Sequence, residues 1–170
     1  MIILGFKKNI TAIIVISLFG VLGHFLYEWT NENTVIGLFF PVSDSIWEHL
    51  KLIFFPSAIF FAFEYLLSEE KPQNYISSAI KGIFCGMISV VTLYYTFTGI
   101  IGKNIDFVNI LIFFVAVIVT VSSRNKAIFE NRCFSMGCNA VIIGIFILTA
   151  FFFMLWSYNP PSLNIFMPPN

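Results

Sequence analysis

A chain of 170 residues that is 58% hydrophobic and 11% charged, with mean hydropathy +0.90, carries less than half the charge of an ordinary soluble domain. Nine basic residues balance nine acidic ones, so no basic field points to nucleic acid, and three cysteines do not make a disulfide-stapled scaffold. The same hydrophobicity excludes intrinsic disorder and leaves an integral membrane protein.

A hydrocarbon core of about 30 Å asks for roughly 20 mostly apolar residues per helix. The first span is predicted over residues 9–29, between Lys8 and the region of Glu28, interrupted only by His24. Lys7 and Lys8 ahead of an apolar run have the look of a signal peptide. Residues 23–29 lack a small-x-small cleavage site, however, so the segment reads as a retained helix. The second span, 45–68, is the least regular, because it contains Lys51, Pro56 and Glu64. The third covers 82–102, 21 residues without a charge, and the fourth covers 106–123 up to Arg124. The fifth runs over 138–158 and is followed by a tail with two Pro-Pro pairs.

The fold class expected is all-α: a polytopic membrane helix bundle of about five transmembrane helices, forming one membrane-embedded domain over residues 1–170. Barrel strands are excluded, since runs such as 110–119 are continuously apolar rather than alternating. Helices satisfy their own backbone groups in lipid. With the N-terminus inside, the cytoplasmic side holds Lys7, Lys8, Lys71, Lys81, Arg124, Lys126 and Arg132, seven of the nine basic residues, against Lys51 and Lys103 outside. The expected topology is therefore N-terminus inside and C-terminus outside, in the cell membrane. Cys85, Cys133 and Cys138 read as ordinary apolar cysteines, because Cys133-x4-Cys138 has no partner pair for a metal. No internal repeat is visible, which disfavours an inverted-repeat transporter within one chain; a homo-oligomer restores symmetry. The expected partners are the lipid bilayer and a second copy of the chain, with no nucleic acid.

The ionisable residues collect between His24 and Lys51. His24 and Glu28, four apart on one helix face, continue a line through Gly20 and Ser17, small residues that suit close helix packing. The loop 30–43 carries Gly37-Leu38-Phe39-Phe40-Pro41, too apolar for a solvated loop, and is expected to dip into the interface or lie over the helix ends. Ser45-Ile46-Trp47-Glu48 has the capping-box pattern of a helix start. Asp44, Glu48 and Lys51 follow one helical line, and His49 lies about 100° around from Glu48. The third span carries Cys85, Ser89, Thr92 and Thr96 as a polar stripe. It reads either as helix–helix hydrogen bonding or as the lining of a cavity by Ser89, Thr92 and Thr96. Asn109 and Thr120 repeat that pattern sparsely on the fourth span.

His24-Phe25-Leu26-Tyr27-Glu28-Trp29, followed by Pro41-Val42-Ser43-Asp44-Ser45-Ile46-Trp47-Glu48-His49-Leu50-Lys51, resembles the H-F-x-Y-E-W … P-V-x-x-S-x-W-E-H-x-K signature of an uncharacterised family of small bacterial multi-pass membrane proteins, a domain of unknown function. The resemblance covers residues 24–56. Ser43-Asp44 stands where the family pattern has Asn-Glu, so an acid persists with a shorter side chain. What the resemblance implies is the distinctiveness of this segment; it supplies no substrate.

The candidate polar site is thus His24, Glu28, Asp44, Ser45, Glu48, His49 and Lys51. Three functions compete for it. A divalent metal such as zinc has His24, Glu28, Glu48 and His49 as candidate ligands, in a metal- or small-ligand-binding site that is hydrolytic in its strongest form. Alternatively the chain is a subunit for transport of a small solute or proton, with Glu64 further along the route. In the third case it is a non-catalytic scaffold or accessory subunit. Phosphate-cradling glycine loops and the G-x-S-x-G elbow are absent. Ser45, His49 and Asp44 sit too close along one helix to form a Ser–His–Asp relay.

Overall fold

The computed structural model describes residues 6–69, 71–130 and 136–168, so Arg132 and Cys133 lie outside the described residues. The described chain is all helical. In order it forms α1 (Phe6–Trp29), α2 (Thr34–Phe39), α3 (Ile46–Leu67), α4 (Tyr75–Ile101), α5 (Asp106–Phe129) and α6 (Met136–Trp156), then a 3-10 turn at Asn164–Phe166. All but α2 are long and apolar enough to cross a membrane, five in number, as a multi-pass membrane protein requires.

The helix ends follow from local chemistry. Ser45 caps α3, its hydroxyl accepting the Glu48 N–H at 3.3 Å. Asn33 caps α2 by accepting the Val35 N–H at 2.9 Å, so the apolar segment expected as a loop contains a short helix, Thr34–Phe39. Gly102, at φ +76°, closes α4 and gives its N–H to Thr98 O at 2.8 Å. Two helices run well past the spans expected for them. α4 starts at Tyr75, ahead of the expected 82, with Ser77 and Ser78 buried in its first turn and Lys81 exposed within the helix. α5 continues through Arg124 to Phe129, and that arginine is wholly buried against protein.

Lipid tails are as apolar as leucine, so helices in a bilayer associate through close packing and internal hydrogen bonds. α4 and α5 form the tightest pair. A Cβ at Gly86 would meet the Thr120 hydroxyl and the Ala116 carbonyl, and one at Gly82 would meet the Thr120 carbonyl. This G-x-x-x-G face lets the two backbones approach. On α3, Pro56 removes the N–H that the Leu52 carbonyl would otherwise receive. That carbonyl faces α1 at Gly20, where a Cβ would meet the Phe113 ring of α5 first and the Leu52 carbonyl next. Half of the most apolar stretch of α3 and of α4 is buried, but only 6% of that of α6. α6 lies on the outside, touching the bundle through Phe146 and Phe153, which pack on Phe54 with ring centroids 4.5 and 5.2 Å away.

Candidate functional site

Three elements meet at the end of the bundle where α1 finishes and α3 begins. α1 brings His24, α3 brings His49 in its first turn, and the segment joining α2 to α3 brings Asp44. One ligand atom from each of the three lies within 4.8 Å of the other two. The two imidazole centroids are 5.2 Å apart with the planes tilted by 38°. His49 Nδ1 lies 2.9 Å from the Ser45 carbonyl. A carbonyl only accepts, so Nδ1 carries a proton, and in the neutral ring the lone pair is on Nε2. His24 is half-buried, and its Nδ1 is buried with no hydrogen-bond partner among the described residues. Asp44 is exposed. Two imidazoles and one carboxylate are a donor set suited to zinc or iron. Tetrahedral zinc ligands stand about 3.4 Å apart at bond lengths near 2.0–2.1 Å, so an ion would draw these three groups inward.

Glu48 and Lys51 belong to the frame around this group. Glu48 Oε2 accepts from Lys51 Nζ at 2.7 Å and from the Val42 N–H at 3.0 Å. Its carboxylate therefore spans to the 41–45 segment instead of returning to Ser45 as a full capping box would. Lys51 is wholly buried and also donates to Gly37 O at 2.9 Å and to the Ser157 hydroxyl. A Cβ at Gly37 would run into Tyr158, Val42 and Tyr27, so only glycine lets α2 come this close. Tyr158 donates its hydroxyl to Thr34 O at 2.9 Å. Burial, then the neighbouring Tyr27 and Glu48, hold that phenol above its ordinary pKa and keep it a donor. One helical turn thus ties α2, the Asp44 segment and the end of α6 to the helix that carries His49. Glu28 is exposed and lies outside the three-residue group. Of the four ligands expected for a metal, the structure brings together His24 and His49. Asp44, expected in the polar site, takes the third position beside them.

A cleft adjoins the group, and Asp44 and His49 are part of its wall. Tyr94 of α4 and Asn109 of α5 are its other polar members. Ser89, Thr92 and Thr96 are not in that wall. Ser89 satisfies its hydroxyl on Gly86 O at 2.7 Å, while Thr92 and Thr96 are exposed.

The opposite end holds a cluster that the sequence did not announce. Arg124 reaches Glu64 through Nη1 in an ion pair, and Tyr75 donates its hydroxyl to the same carboxylate at 2.6 Å. Arg124 Nε and Nη2 donate to Asn125 Oδ1 at 3.1 and 2.9 Å, and Asn125 donates to Asn9 at 2.8 Å. The available signal was a lone acid inside one span and a lone arginine at the end of another, an arrangement that pairs in membranes.

Five long apolar helices with a His–His–Asp group at one end define a polytopic helical protein of the membrane-spanning kind. The model of a family of unknown function, DUF6512, matches residues 4–169, and the chain belongs to that family. No curated protein and no solved structure gives a significant match.

Proposed function

We propose that this protein binds a divalent metal ion, zinc or one of similar ligand preference, through His24, Asp44 and His49 at the outer face of the cell membrane. The observation that carries this is the convergence of three ligand atoms from three separate elements to within 4.8 Å. The hydrogen bond from His49 Nδ1 to a backbone carbonyl supports it, because metal-binding histidines are usually oriented in that way. The unpartnered His24 Nδ1 supports it too, since a buried nitrogen without a partner is costly unless something binds there. Three protein ligands leave a coordination position open, and such an ion polarises a carbonyl or lowers the pKa of bound water to about 7, the chemistry of hydrolysis. The outer location follows from the seven basic residues assigned to the opposite side.

The test is metal analysis of the protein purified in detergent after growth with zinc, with zinc affinity measured by competition with a chromophoric chelator. Wild type is expected to hold about one ion per chain, and the His24→Ala/His49→Ala variant none. Wild-type protein that holds no ion and takes up none ends this reading.

A further inference from the structure

Beyond Asp44 and His49 the cleft turns apolar. Leu52, one turn further along α3, forms its wall together with Val90 of α4 and Ile112 and Phe113 of α5. Leu52, Val90 and Ile112 are buried, so these walls are set by the packing of three helices. Exposed apolar residues stand beside them on the same helices: Leu93 on α4 and Ile110 on α5. These side chains suit lipid and favour a ligand that dissolves in a bilayer. With about 60 Å³ of room, the cleft takes a few methylene groups and leaves the rest of a longer chain outside. At its polar edge Asn109 donates its amide to Asn104 Oδ1 at 2.8 Å. The Asn109 carboxamide oxygen is buried and receives no donor among the described residues. An acceptor left in that state is unfavourable, and a ligand hydroxyl removes the deficit.

We propose that the cleft receives a single-chain lipid with a free hydroxyl, of the monoacylglycerol type. The methylenes nearest the head lie against Leu52, Val90, Ile112 and Phe113, the hydroxyl donates to Asn109 Oδ1, and the ester oxygen faces the His24–Asp44–His49 group. Only the placement of the ester rests on the metal reading; the chain and hydroxyl contacts hold without an ion.

The experiment uses the full chain in phosphatidylcholine nanodiscs, loaded with zinc, and monooleoylglycerol carrying a diazirine close to its ester. After photolysis, adducts are mapped by peptide mass spectrometry. Adducts are expected within 49–52, 90–94 and 109–113, and unlabelled monooleoylglycerol should compete them away. Methyl oleate, which has no hydroxyl, should compete about tenfold less well, the loss expected for one hydrogen bond to a buried acceptor. Asn109→Leu should erase that difference between the two competitors. The competition arm needs only wild-type protein, so it stands even if a cleft variant misfolds. Adducts that spread along α6 and resist competition overturn the proposal, as does equal competition by the two lipids. Metal content measured on the same samples separates the two readings. An ion with uncompeted labelling removes the lipid and keeps the metal, whereas competed labelling without any ion keeps the lipid and removes the metal.

Discussion

The two polar clusters lie at opposite ends of one bundle and meet the same physical problem in opposite ways. Ionisable groups near lipid are expensive unless paired. Around Arg124 the pairing is complete: Glu64, the Tyr75 hydroxyl and Asn125 take its donors, and its guanidinium stands 4.5 Å from the Phe61 ring centroid. Around His24 it is left open. One imidazole nitrogen is buried without a partner, and Asp44 faces outward. Charge and burial alone would have favoured Arg124 as the functional residue, because it is the more deeply buried. Unused coordinating capacity, not burial, separates a site from a brace. The Glu48–Lys51 pair lies between these extremes: Glu48 Oε2 is shared by Lys51 and the Val42 N–H, while its buried Oε1 has no partner among the described residues.

The largest expected effect tests the closed cluster. Arg124→Met leaves Glu64 without its cation in a low-dielectric setting and should cost about 3–5 kcal/mol of stability. Glu64→Gln in the same chain should restore a large part. Thermal unfolding in detergent micelles reads both, and an Arg124→Met chain as stable as wild type would erase the contrast between the clusters. Next comes the open cluster: His24→Ala should weaken zinc binding by about a hundredfold, equivalent to about 2.7 kcal/mol. Stability of the metal-free protein should move by less than about 1 kcal/mol, because no hydrogen bond of Nδ1 is lost. A large loss of metal-free stability would make His24 a brace as well. The third prediction concerns the helix pair that spans both clusters, since α5 carries Arg124 at one end and Asn109 at the other. Gly86→Ala forces the Thr120 hydroxyl away from α4 and should cost about 1–3 kcal/mol by overpacking, again read by thermal unfolding.

The all-helical, five-span architecture was legible because continuous apolar runs bounded by charge are a property of single segments. So was the crowding of ionisable groups between His24 and Lys51. Where the sequence reading and the structure differ, the deciding contact joins elements that no single segment reveals. Arg124 is expected at the end of a span, yet α5 runs on to Phe129 and Glu64, sixty residues earlier, pairs with it inside the bundle. Glu48, expected as a metal ligand, lies outside the His24–Asp44–His49 group, with one oxygen shared by Lys51 and the Val42 N–H. Asp44 reaches the histidines only through the turn between α2 and α3, whose geometry depends on Lys51 contacting Gly37. The polar stripe of α4 was visible as a period, but a period does not say which face meets a cleft. Gly82 and Gly86 did carry a readable signal, the small-xxx-small spacing, and it marks where α5 packs.

The smallest expected effect draws the line between frame and site most finely. Ser45 serves both through different atoms: its hydroxyl caps α3 by accepting the Glu48 N–H, while its carbonyl receives His49 Nδ1. Ser45→Ala removes the first and keeps the second. Stability should therefore fall by about 1 kcal/mol, the usual value of a lost N-cap, seen as a modest drop in the unfolding midpoint. Zinc affinity should stay within about threefold of wild type, since the imidazole keeps the backbone bond that orients its Nε2. A tenfold loss of affinity would mean that the hydroxyl, and with it the cap, sets the position of His49. The boundary between the closed frame and the open group would then run through Ser45 itself, and not between its side chain and its carbonyl.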